Sequence, residues 1–287
     1  MVGDKIRFRF RKSGDLRLLS HLDLTRCFER MLRRAELPFK STLGFHPTPR
    51  MIFALSLPLG VVGDCEVLEL ELLTPCDLEE VRGRLNRQTP NGLDFQSATA
   101  VPMKATAMPR RVQYSLDVPD ERVPEIRNRI RELLDSPKVW VDRIKPKPRQ
   151  LNVRPYLRDI TLESIQETSP LNPLSETERG SRTSRTRTGC TSADHRLTLD
   201  LWVTPSGTAR ADELLKALNL TDLVDAGRIV SRSLLEIHDE LEPGQTDGPP
   251  DHGPESAPSN HTPAEAGTDN ASAVATWGLS PNGPVVE

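Results

Sequence analysis

The chain has 287 residues, 36% hydrophobic and only 4% aromatic, with 25 prolines and 17 glycines, which excludes a single apolar core running through its whole length. The net charge of -3 hides an asymmetry: no Lys or Arg follows Arg232 but ten acids do, so residues 1–235 carry all 38 basic residues against 31 of the 41 acids, a net of +7. A basic body with an acidic tail points to an anionic partner, nucleic acid first, or to a solvated surface with a solubilising tail.

The four cysteines, Cys27, Cys65, Cys76 and Cys190, form no CxxC pair, so neither a zinc site nor an iron–sulfur cluster is signalled. No metal or cofactor is expected. The opening MVGDKIRFRFRK lacks the apolar core of a signal peptide, and no apolar window reaches the length of a membrane span. A soluble cytoplasmic protein with no membrane partner is expected.

Residues 5–11 alternate, with Ile6, Phe8 and Phe10 on one face and Arg7, Arg9 and Arg11 on the other, the pattern of a half-buried strand. The arginine row reads either as a solvated edge or as a phosphate-contacting sheet face. Ser20, with Asp23 three residues on, reads as the N-cap of a helix over 21–35. Leu24, Phe28, Met31 and Ala35 form its apolar stripe, while Arg26, Arg30 and Arg33 share another face. Leu37-Pro38 ends it. Residues 44–50, GFHPTPR, form a stiff turn, since each proline fixes its own φ and restrains the residue before it.

Strands follow at 51–57 and 67–73, then a helix capped by Asp77 through about 87, and a weaker strand at 93–101. The order β-α-β-β-α-β is the split βαβ, or ferredoxin-like, arrangement. The pattern then repeats: a strand at 112–118, a helix opened by Pro119-Asp120 to about 134, a strand at 139–144, one or two extended runs in 151–165, a strand at 196–203, a short helix at 209–218 and a closing strand at 228–237. The sequence thus predicts an α+β protein of two tandem ferredoxin-like halves, 1–104 and 105–240. A Ser/Thr/Arg-rich insertion at about 166–194 and the acidic tail 241–287 are expected to be disordered, because neither has the apolar surface to offset its ordering entropy.

His21 in the first helical turn faces the positive end of the helix, which favours the neutral ring of a general base. With Asp23 and His46 it would suit acid–base or metal chemistry if the 44–50 turn folds back. Alternatively Asp23 caps and both histidines make structural hydrogen bonds. Arg17, Arg26, Arg30 and Arg50 are suited to grip an anion, because guanidinium forks match phosphate bidentately. Lys147, Arg149 and Arg154 form a second basic cluster. Phe45 and Tyr156 either stack on bases or belong to the core. No GxxxxGK[ST], no GxGxxG opening a helix and no GxSxG is present.

The series RFRFRKSGDLRLLSHLDLTRCFERMLRRAELP, then GFHPTPRMIFALSLPLGV, then KPKPRQLNVRPYL, resembles the bacterial radical SAM-linked (radical-SAM-associated) proteins, a domain of unknown function. The resemblance spans about 4–237, with the insertion and tail outside it. It implies a partner of a radical SAM enzyme concerned with RNA or translation. The family's turn usually reads G-F-N-P-x-P-R, so His46 stands in the asparagine position, against a required catalytic role for it. The CxxxCxxC cluster motif is absent, so the enzyme would be a separate chain acting in trans. The expected function is an accessory RNA-binding protein that presents substrate to that enzyme. A second reading, similar in architecture to the CRISPR repeat-processing endoribonucleases, makes His21 the base of a metal-independent nuclease. That group's glycine-rich C-terminal loop is missing here. A third is a protein-binding scaffold using the apolar residues around 55–62.

Overall fold

In the computed structural model the described residues are 2–144, 148–165 and 194–240. The insertion and tail expected to be disordered fall almost wholly outside them, as does Lys147. The first half runs β1 (Val2–Lys12), α1 (His21–Arg34), β2 (Met51–Phe53), β3 (Val62–Asp77), α2 (Leu78–Asn86) and β4 (Leu93–Ala100). The second runs β5 (Pro109–Pro119), α3 (Val123–Asp135), β6 (Trp140–Arg143), β7 (Arg149–Asn152), β8 (Leu157–Ser164), β9 (Asp194–Trp202), α4 (Ala211–Ala217), α5 (Thr221–Asp225) and β10 (Ser231–Ile237). The fold is mixed α+β with a mainly sheet core.

The local signals behave as their chemistry requires. Ser20 Oγ accepts from Asp23 N at 3.2 Å and donates to Asp23 Oδ2 at 2.7 Å. Asp77 Oδ1 accepts from the amides of Glu79 and Glu80 and caps α2. The α1 stripe of Leu24, Phe28, Met31 and Ala35 is buried. Leu37 N donates to Leu32 O while Glu36 takes φ 51°, the left-handed closure that stops α1 just before Pro38.

The strands form one eight-stranded sheet in the order β4-β1-β3-β10-β5-β9-β8, with β2 also paired to β3. Each half contributes strands in an equivalent order, β4-β1-β3-β2 and β10-β5-β9-β8, with antiparallel neighbours throughout. The halves are joined by a short parallel seam, Ser231 opposite Val62 and Arg232 opposite Gly63. Through that seam the sheet takes in strands from both sides of the expected boundary at 104–105, and the described residues belong to one compact unit. One apolar cluster lies under α1 and α2, where Phe8, Phe10, Phe28, Phe53 and Phe95 pack edge to face. The second spans the inner faces of β5, β9 and β10 with α3 and α4.

Several elements differ from the sequence reading, and three of the differences bear on the cleft between the two halves. The strand expected over 51–57 ends at Phe53: Ala54 N makes the last ladder bond, to Val67 O, and the carbonyls of Leu55 and Ser56 go instead to the buried Arg232 side chain. The strand expected over 67–73 begins at Val62, because its first residues find a partner in β10. The strand expected over 139–144 leaves the main sheet. It forms a separate hairpin of β6 with β7, and β8 takes the place beside β9. Asn152 Oδ1 fixes that departure by accepting from Val139 N and Arg154 N.

Candidate functional site

A cleft of about 950 Å³ opens where the two halves meet. One wall is the 55–61 loop between β2 and β3, with Arg17 beside it. The other is 208–212, at the start of α4, together with the 221–230 stretch leading into β10. Its lining is mostly aliphatic. Arg17, Arg210 and Arg228 bring positive charge to it, and Asp212 and Asp225 bring negative charge.

Both walls are held by buried ion pairs. Arg232, with no exposed surface, donates from Nε to Glu66 Oε1 at 2.8 Å, and from Nη2 and Nη1 to the carbonyls of Leu55 and Ser56 at 3.0 and 3.3 Å. Burial opposes its charge, but Glu66 and the Tyr114 hydroxyl more than offset that and raise its pKa. Lys12, also buried, donates to Leu19 O at 3.0 Å. Burial depresses the Lys12 ammonium against the pull of Glu66, with Arg232 adding to the depression. On the opposite wall Arg143 of β6 donates to Glu213 at 2.6 and 2.7 Å and to Thr208 O at 2.9 Å, while Glu213 Oε2 accepts from Arg210 N. Buried charges need such mutual pairing, and here the pairs also fix backbone carbonyls at the cleft walls.

The residues picked out by sequence fall into three places. Arg17 lines the cleft, and its carbonyl accepts from Gly60 N at 2.9 Å, tying the 3₁₀ turn before α1 to the 55–61 loop. His21 packs edge-on against Phe53 with ring centroids 5.0 Å apart, so the SHLD stretch and the end of the MIF strand meet next to that loop. Asp23 caps α1 and pairs with Arg26 at 3.5 Å. Arg26 and Arg30 are exposed on α1.

The 44–50 turn lies elsewhere. It is the far end of a protruding loop closed by Thr42 N to Thr48 O at 2.8 Å and Arg50 N to Lys40 O at 2.8 Å. Phe45 and His46 are exposed at its tip. Arg50 pairs with Glu71 at 3.1 Å. Arg50 lies just before β2, whereas the cleft wall begins after it at Leu55.

In the second half Arg149 is exposed on β7. Arg154 is spent on structure: its guanidinium donates to Leu157 O at 3.1 Å and Leu134 O at 3.0 Å. Tyr156 is 2% exposed and is a core aromatic, not a stacking surface.

Sequence reading missed Arg210, Asp212, Asp225 and Arg228 at the cleft. They come from the short α4–α5 region, whose residues carry no motif. Of the two readings of the β1 arginine row, the solvated edge does not describe Arg7 and Arg9: Arg7 is buried against Glu69 and Asp239, and Arg9 is paired with Glu240. Among the described residues no group of three His, Cys, Asp or Glu is arranged to hold a metal ion. None of the described helices is long and apolar enough to cross a membrane.

A family model described as an uncharacterized protein conserved in bacteria (DUF2344) matches residues 5–186. The search of curated proteins found no match. Among solved structures, a crystal structure of a Cbf5-Nop10-Gar1 complex is similar at 10% identity and a TM-score of 0.36, covering 80% of this chain and 48% of that one. The chain thus spans about half the length of that match. A crystal structure of an unknown protein from Galdieria sulphuraria is similar at 10% identity and a TM-score of 0.23, covering 83% and 99%.

Proposed function

We propose, from the premise that this chain belongs to the bacterial DUF2344 family, that it is an accessory binding protein which holds RNA and presents it to a separate radical SAM enzyme. The observation that carries the binding role is a convergence. Arg17 and the loop after β2 come together at one rim of the cleft, His21 at the start of α1 packs against Phe53 beside that loop, and Arg26 and Arg30 stand exposed farther along α1. Exposed guanidinium groups in a row suit a phosphodiester backbone, and an adjoining cleft suits a group projecting from it. The link to a radical SAM enzyme rests on the sequence resemblance. The finer fold reading, two tandem ferredoxin-like halves, is supported by the equivalent strand orders of the halves.

One observation favours adding a protein partner at the same place. Leu59, Val224 and Ile229 expose apolar side chains at the cleft, and Leu18 and Leu22 do so on the adjoining stretch. Clustered apolar exposure of this kind marks a contact surface, and we assign it to the partner enzyme.

The test is binding of a single-stranded RNA at several salt concentrations. Arg26→Ala with Arg30→Ala is expected to weaken binding and to reduce the salt slope by about 2, one per lost phosphate contact. Unchanged affinity and slope would remove α1 from the interface. A stable complex with a radical SAM protein and no RNA binding would leave only the protein-binding role. RNA cleavage without metal, abolished by His21→Ala, would replace the accessory role with the nuclease.

A further inference from the structure

Lys5, Arg7 and Arg9 leave β1 on the face opposite Ile6, Phe8 and Phe10, and that row has no part in the cleft. We propose that it is a second binding site for RNA phosphates, filled in the free chain by the protein's own carboxylates Asp239 and Glu240. The inference rests on RNA being the ligand.

The geometry is that of a prepared anion site. Arg7 is fixed from behind by Glu69, which accepts from its Nε at 3.0 Å and its Nη2 at 2.6 Å. Arg9 is fixed by the carbonyls of Cys65 and Leu235, at 3.1 and 2.6 Å from its Nη1. Both guanidinium groups are therefore aimed before any ligand arrives, and their remaining N–H groups go to acids: Arg7 Nη2 to Asp239 at 2.7 Å, and Arg9 Nη2 to Glu240.

Charge bookkeeping says the same. Lys5, Arg7 and Arg9 meet three carboxylates, Glu69, Asp239 and Glu240. Glu69 is on the neighbouring strand β3 and cannot leave. Asp239 and Glu240 sit on a three-residue 3₁₀ turn after the last strand, with side chains 42% and 39% exposed. Without them the row carries two uncompensated positive charges on guanidinium groups already fixed by Glu69 and by backbone carbonyls, a strong attraction for a polyanion. An RNA strand offers phosphates that replace the two carboxylates one for one.

Oligouridylate binding, followed by fluorescence anisotropy across a salt series on the full chain, tests this. The variant Asp239→Asn/Glu240→Gln keeps the shape of the turn and removes its charge. Its affinity at low salt is expected to rise about 10-fold, with a salt slope steeper by about 2. Adding Arg9→Ala is expected to take back about half of that change. If the double variant folds poorly, Glu240→Gln alone, at a half-exposed position, is expected to give about half the gain. Equal affinity and slope in the parent and the neutralised variants, with Arg26→Ala/Arg30→Ala still weakening both, overturns the β1 site and leaves the α1 interface standing. A lowered melting temperature with unchanged RNA affinity makes the turn a structural cap and overturns the proposal as well. Failure of every form to bind oligouridylate removes both readings.

Discussion

Arg232 and Glu66, 166 positions apart in sequence, form a buried fork across the seam between the halves, with Nε to Oε1 at 2.8 Å. Because the same guanidinium also holds the carbonyls of Leu55 and Ser56, this one pair sets both the seam and one wall of the cleft. Arg232→Met leaves Glu66 buried without its guanidinium, with only the Lys12 ammonium as counter-charge, and is expected to cost about 3–5 kcal/mol of stability in urea unfolding. Arg232→Met combined with Glu66→Gln is expected to recover much of that, since the buried carboxylate charge is gone. Equal losses in the single and double variants would show that packing, not charge, is what Arg232 supplies.

Gly63 lies directly under that fork. A Cβ there would sit 2.6 Å from Glu66 Cγ and 2.7 Å from Oε1, and Glu66 cannot swing away without leaving Arg232. Gly63→Ala is therefore expected to cost about 1–3 kcal/mol, as overpacking does elsewhere. Gly60, with nothing within 4 Å of such a Cβ, is the contrast: its φ of 83° makes substitution a matter of backbone strain alone. A Gly63→Ala protein as stable as the parent would mean that the fork is loose.

Asp200 on β9 gives a pH prediction. Burial would push its carboxyl up, but hydrogen bonds from Arg111, Gln113 and Arg158 outweigh that and hold it below the ordinary 3.8. A carboxylate depressed on folding stabilises above its unfolded value, and the contribution is lost as pH falls through the folded one. Acid unfolding is thus expected to steepen below about pH 4, and Asp200→Asn to flatten that limb while lowering stability at neutral pH. Superimposable acid limbs for the two proteins would contradict it.

Glu213 is expected to act locally. It joins Arg143 of the β6–β7 hairpin to the amide of Arg210, and Arg143 in turn holds Thr208 O. Glu213→Ala is expected to raise amide hydrogen exchange at 208–212 and in the hairpin while leaving β1 and β3 protected. Exchange rising everywhere would make the pair a global stabiliser instead.

Much of the local structure is written in short-range chemistry. Ser20 and Asp77 mark their helix starts because a capping side chain acts within three residues, and the α1 stripe is plain because it repeats at helical spacing. The seam is invisible to such reasoning. Ser231 and Val62 are paired by topology, and no periodicity encodes a partner that far along the chain. The burial of Arg232, Lys12 and Arg7 is hidden in the same way, because composition gives no sign that a counter-charge on another strand will take them inside. The candidate site was legible in the same proportion: Arg17 and the neighbourhood of His21 lie at the cleft, whereas its other wall, in 208–230, depends on how the last strand returns to the sheet.

That returning strand has a consequence for synthesis. The first half owns all four of its strands, but the counter-ion of Glu66 arrives on the last one. Until residues beyond Arg228 have left the ribosome, the nascent N-terminal half holds a carboxylate beside Lys12 with no guanidinium to meet it, and its long strand β3 has a bare edge at Val62 and Gly63. Arrival of β10, not completion of the first half, is the event that joins the sheet and shapes the cleft, so a chain broken off before Ser231 keeps that open edge.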